Sequence, residues 1–75
     1  KLLLFPNPSK GLININSDQE IISCQIHDIL GKLIYSNKNL NNKNQHVISL
    51  DKDGLYYVTV YTENGVYSNK VTIQK

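Results

Sequence analysis

Two histidines, one cysteine and a short acidic cluster are the residues of this 75-residue chain whose types could do chemistry. His27 precedes Asp28, and some serine would have to complete a Ser–His–Asp arrangement. Adjacent positions on a strand point to opposite faces, so His27 and Asp28 cannot easily serve one another. His46 belongs to a different predicted strand, and no catalytic constellation supports an enzyme. Asp51-Lys-Asp-Gly54 has the look of the start of a calcium loop. The third acidic ligand is missing, however, and Thr62 stands where the bidentate Glu belongs. A turn is the better reading. Cys24, between Ile22 and Ile26 on an apolar face, reads as a small buried hydrophobe rather than a reactive thiol. A single cysteine forms no internal disulfide, and no Cys/His cluster has zinc spacing. The residues thus call for no metal and no cofactor.

Tyr57, Tyr61 and Lys70 form a second group. The two tyrosines are predicted to flank Lys70 diagonally across a strand pair. Two readings stay open for them: a surface cluster with a weak cation–π attraction, or a platform for a sugar or a protein partner.

The elements that must position these residues are strands. Asn64-Gly65 is a strong hairpin signal, because a type I′ turn needs positive φ at both central positions. That turn predicts Tyr56 opposite Ile73, Val58 opposite Val71, Val60 opposite Asn69 and Thr59 opposite Lys70. Side chains alternate faces along a strand, so Tyr56, Val58, Val60, Val71 and Ile73 share the core face. Upstream, Leu2–Phe5 is a short strand stopped by Pro6-Asn7-Pro8, with Gly11 supplying a sharp turn. Leu12–Asn16 alternates, Ser17–Glu20 reads as a polar turn, and Ile21–His27 is a further strand. Asp28-Ile-Leu-Gly31 is a turn, Lys32–Ser36 a return strand, Asn37–Gln45 a polar loop, and His46–Leu50 a strand. The predicted core is Ile13, Ile15, Ile22, Cys24, Ile26, Ile48, Leu50, Tyr56, Val58, Val60, Val71 and Ile73.

About seven short strands with turns between them and no helical periodicity predict an all-β fold. The expected architecture is a small immunoglobulin-like antiparallel β-sandwich, with a Greek-key barrel as the alternative. Eight lysines, no arginine and six acids give a net charge of +2. The lysines are scattered along the chain, against nucleic-acid binding, and no apolar run reaches the ~20 residues of a membrane span. Residues 1–75 read as one domain. Without an initiator Met or signal peptide, the chain is expected to be the C-terminal piece of a larger secreted precursor.

Four blocks resemble, in order, the type A C-terminal sorting domain of the Bacteroidetes type IX (Por) secretion system. They are Phe5-Pro-Asn-Pro-Ser-Lys-Gly11, Ile26-His-Asp-Ile-Leu-Gly-Lys-Leu-Ile34, Gly54-Leu-Tyr56 with the strand after it, and Lys70-Val-Thr-Ile-Gln-Lys75. The resemblance spans essentially the whole chain, although Cys24 is not a family feature. It implies a non-catalytic signal that sends attached N-terminal cargo through the periplasm and outer membrane to the cell surface or medium. The implied partners are the outer-membrane translocon and a sortase-like protease. The residues expected to be read are Pro6, Asn7, Pro8, Gly11 and Lys70, and those expected to set the fold are Asp28, Gly31, Gly54 and Tyr56. The rival expectation is an immunoglobulin-like accessory module of a surface enzyme, holding glycan on Tyr57 and Tyr61.

Overall fold

Between Leu12 and Asp28 the extended backbone never reverses. In a computed structural model that describes residues 1–41 and 43–75, this stretch is one strand of 17 residues. The chain forms β1 (Leu2–Phe5), β2 (Leu12–Asp28), β3 (Leu33–Asn37), β4 (Lys43–Ser49), β5 (Gly54–Thr62) and β6 (Gly65–Ile73). The described residues thus make six strands, not the seven expected, because the predicted strands at 12–16 and 21–27 are one. All strand-to-strand pairings are antiparallel. The protein is all-β, as predicted, and its curled sheet is consistent with a small sandwich.

β2 is the spine. β3 pairs with its C-terminal half, Cys24 to His27, and β4 with its N-terminal half, Leu12 to Ile21. β3 and β4 therefore lie end to end along one edge of β2. The other edge takes β1 at Asn14–Ser17 and β5 at Ile21–Asp28, and β6 pairs with β5. The long ribbon bends where its pairing lapses, between Asn16 and Ile21. Ser17–Glu20, predicted as a turn, is this corner. The Ser17 hydroxyl accepts the Gln19 N–H at 3.0 Å, and the Asn44 amide donates to the Ser17 carbonyl at 3.0 Å. Of the predicted Asn37–Gln45 loop, the first residue closes β3 and Lys43 to Gln45 open β4; Asn42 lies outside the described residues.

Bending folds the two halves of the ribbon over one core. Ile13, Ile15 and Ile48 from one half join Cys24, Ile26, Val58, Val60, Val71 and Ile73 from the other. Eleven of the twelve predicted core residues are buried; Ile22 is 39% exposed, and Ile21 is fully buried in its stead. The cause is a β-bulge. Ile21 pairs with Thr62 but Ser23 with Tyr61, so Ile22 is an extra residue and the inward parity of β2 flips there. Leu40 was not foreseen. It is buried beside the β2 bulge, where its N–H donates to the Ile22 carbonyl at 3.1 Å.

The β5–β6 hairpin keeps the predicted faces but not the predicted register. Thr62 pairs with Gly65, so the turn residues are Glu63 and Asn64 rather than Asn64 and Gly65. The Thr62 hydroxyl accepts the Asn64 N–H at 3.2 Å and donates to the Gly65 carbonyl at 3.0 Å. This hydroxyl-closed turn moves the reversal one residue upstream, and Asn64 does not adopt the positive φ of a type I′ turn. Pairing shifts by two residues, which preserves side-chain parity. Tyr56 now faces Val71, Val58 faces Asn69 and Val60 faces Tyr67.

Candidate functional site

The folded ribbon has two poles. One gathers four segments that are far apart in sequence: 6–11, 28–32, 50–56 and 70–75. Asp28 pairs with Tyr56, Tyr56 pairs with Val71, and Ser9 bridges to Ile73, which pairs with Gly54, so all four blocks meet at one end of the sheet.

Pro6 ends β1, since proline has no N–H to give the ladder. The loop after it is stitched to the outer edge of β6. The Asn7 side chain donates to the Lys70 carbonyl at 3.3 Å and accepts the Thr72 N–H at 3.1 Å, much as a neighbouring peptide group would. The Ser9 N–H donates to the Thr72 carbonyl at 2.8 Å, and the Ser9 carbonyl accepts the Gln74 N–H at 2.7 Å. Half of the exposed edge of β6 is thereby covered, which guards it against stray pairing. Pro6, Asn7 and Pro8 remain exposed on the outside of this loop. Gly11 differs from the expectation that it is a contact. It is buried, with φ of +136°, and an added Cβ would lie 3.2 Å from the Leu50 carbonyl oxygen. Its own carbonyl accepts the Leu50 N–H at 2.8 Å.

Asp28 builds the next turn. Its carboxylate accepts the Leu30 N–H at 3.0 Å and the Lys32 N–H at 2.9 Å. Gly31 has φ of +87° with open space around its α-carbon, so backbone conformation alone asks for glycine there. Tyr56 is 6% exposed, its ring lies against Gly54, and its hydroxyl donates to the Lys52 carbonyl at 2.8 Å. This fixes the turn between β4 and β5. The Lys75 N–H donates to the Asp53 carboxylate at 3.0 Å, tying the end of the chain to that turn. The sequence does not pick out Ser9, and it shows Asp53 only as part of a turn, not as the partner of Lys75. Their partners lie across the fold, and no local pattern announces them.

Lys70 projects outward at this pole. It stands opposite Tyr57, not Thr59 as predicted. With Asn7 and Thr72 it borders a shallow cleft of about 540 Å³ whose apolar wall includes Leu4 and Leu55. Tyr61 is opposite Val66 and spends its hydroxyl on Gln25 at 3.2 Å. The expected Tyr57–Lys70–Tyr61 platform is therefore absent, and with it the geometry that favoured a glycan surface. Lys1, Asp18, Gln19 and Asn64 lie at the opposite pole, where Lys1 pairs with Asp18 and Asn64 with Gln19.

The remaining chemical candidates are structural. Burial raises the Cys24 thiol to about 11, which holds it protonated and unreactive. The Tyr35 hydroxyl lies 2.9 Å from His46 Nε2, and burial, helped by nearby Lys43, lowers the His46 pKa. His27 sits apart, opposite Tyr57 and Leu33. Among the described residues, no three of His, Cys, Asp and Glu gather as a metal site.

Residues 3–74 match the model of a family described as the secretion system C-terminal sorting domain. No curated protein matches the chain.

Proposed function

The chain belongs to the secretion system C-terminal sorting domain family, and from that premise we propose that the pole holding its four sequence blocks is the face the export machinery reads. A domain of this family is a C-terminal sorting signal for type IX secretion, works with attached cargo and is not itself catalytic. It implies export by way of the outer membrane to the cell surface or extracellular space.

The observation that carries the proposal is the convergence of 6–11, 28–32, 54–56 and 70–75 at one end of the sheet. In our reading the outer-membrane translocon contacts Pro6, Asn7 and Pro8 on their exposed loop, and Lys70 beside it. Asn7 also orients that loop against β6. Asp28, Gly31, Gly54 and Tyr56 act by setting the fold, and burial moves Gly11 into their company. Cargo joined ahead of Lys1 leaves from the opposite pole, so it does not cover the signal. A sortase-like protease then separates cargo from signal at the surface.

The test is a reporter carrying a Sec signal peptide and this domain at its C-terminus, expressed in a type IX-competent bacterium. The wild-type fusion reaches the surface or medium. Lys70→Ala leaves stability within about 0.5 kcal/mol, as at an ordinary surface site, yet lowers export. Retention of the wild-type fusion in the periplasm contradicts the sorting role. Normal export of Lys70→Ala removes Lys70 from the contact face.

A further inference from the structure

The proposed reading places the translocon at the motif pole, and the most exposed apolar residue of the domain is also there. Leu30, at the tip of the β2–β3 hairpin, is 90% exposed, and its neighbour Ile29 is 64% exposed. Leu33 and Ile34, at the start of β3, are each more than two-fifths exposed as well. Scattered single apolar residues on a surface need no explanation, but a contiguous group at a protruding tip does.

The tip is held rigidly. Beyond its two bonds from the Asp28 carboxylate, the Asp28 N–H donates to the Lys32 carbonyl at 2.9 Å, and the Gly31 N–H donates to the Asp28 carbonyl at 3.0 Å. Four hydrogen bonds thus fix a three-residue loop whose two leading side chains are largely exposed to water. A side chain already ordered before binding loses little freedom on docking, which is how a few residues come to dominate an interface.

Resting on the sorting reading, we propose that Ile29 and Leu30 form an apolar knob that seats in an apolar pocket of a protein component of the export machinery. The shape is convex and small, so the complementary surface is concave. Charge argues against a lipid surface as the occupant. Membrane-binding segments carry clusters of several basic residues, whereas Lys32 at the tip is offset by Asp28 and Lys52 in the neighbouring turn by Asp51 and Asp53, and the Lys70 side of the pole is about three strand spacings away. A second copy of the chain is disfavoured too, because a stable dimer buries on the order of 1,000 Å², far beyond two side chains, whereas a transient contact during export can be smaller. The knob and the Asn7–Lys70 loop are three strand spacings apart, roughly 15 Å, close enough for one partner to grip both.

The experiment uses the complete reporter fusion, purified for melting and expressed in a type IX-competent strain for export. Leu30→Asn is expected to melt with the wild type and to lower export about tenfold, the loss of one interface anchor. Leu30→Met, which keeps the apolar volume, restores export. Val66→Asn, at a 59% exposed apolar site of the opposite pole, exports normally. Should Leu30→Asn lower the melting temperature, Ile29→Ser on the same tip supplies the readout. If the wild-type fusion is not exported, the sorting reading itself fails. If it is exported and folded tip variants export equally well, the knob proposal alone is overturned. Leu30-dependent sedimentation with vesicles of phosphatidylethanolamine and phosphatidylglycerol overturns the protein pocket in favour of lipid, and Leu30-dependent dimerisation overturns it in favour of self-association.

Discussion

Replacing Tyr56 by alanine and by phenylalanine separates the two things this side chain does. Its ring is 6% exposed and packs beside Gly54 in the core, and its hydroxyl donates to the Lys52 carbonyl at 2.8 Å. Tyr56→Phe keeps the ring and removes one hydrogen bond, at a cost of about 1 kcal/mol. The freed Lys52 carbonyl sits on an exposed turn, so water can satisfy it and the cost stays near that value. For a domain of this size that lowers Tm by about 4–8 °C. Tyr56→Ala removes the ring as well, at roughly 3–5 kcal/mol by analogy with other aromatic truncations. A domain this small without disulfide or metal has only about 3–5 kcal/mol in hand, so Tyr56→Ala is expected to be largely unfolded at 37 °C. The assay is thermal denaturation followed by circular dichroism. A cooperative melt for Tyr56→Ala within about 5 °C of the wild type would refute the claim that this ring holds the pole together. Equal losses for Phe and Ala would show that the hydroxyl, not the packing, matters.

His46 makes stability depend on pH. Its pKa is lowered in the fold, so the unfolded chain binds its proton more readily than the native one. Stability is full above the ordinary histidine value of 6.5 and falls as pH drops through it toward the lower native value. His46→Gln flattens this part of a Tm-against-pH profile, and an unchanged slope would contradict the assignment. Cys24, with its thiol raised to about 11, is expected to resist a thiol reagent in the native state and react in denaturant; rapid native labelling would contradict its burial. Gly11→Ala combines an unfavourable φ with a Cβ 3.2 Å from the Leu50 carbonyl oxygen, and is expected to cost more than about 1 kcal/mol in chemical denaturation. Gly31→Ala meets no neighbour and costs only the roughly 1–2 kcal/mol of a left-handed backbone.

What could be read from the sequence was whatever depends on neighbours along the chain. The alternation of Tyr56, Val58 and Val60 assigned the faces of β5 correctly, and Pro6 and Asp28 marked real chain reversals. The hairpin register was missed because Asn64-Gly65 competes with the Thr62 hydroxyl, a side-chain bond that alternation does not reveal. The bulge at Ile22 was hidden because Ile21 and Ile22 are both apolar, so either parity looks reasonable. Asp18 and Glu20 are polar because the β2 corner exposes them, not because the chain turns back, and the buried Ser17 spends its hydroxyl on the Gln19 N–H. The assembly of the site was the least legible part. Asn7 meets Lys70 across 63 residues of sequence, and Gly11 is buried where the Leu50 backbone and the Lys75 side chain close over it. Such pairings follow from the folding of the ribbon and have no local signature.

The central claim, that the motif pole faces the export machinery, is tested most directly by site-specific photo-crosslinking of the reporter fusion during export. A photoreactive residue is placed at Lys10 or Lys70 on the motif pole, and at Gln19 or Asn44 on the opposite one, all on exposed or half-exposed positions. Crosslinks to outer-membrane translocon components are expected from positions 10 and 70 and none from 19 and 44. Crosslinks confined to positions 19 and 44, in a fusion that is exported normally, would contradict that claim.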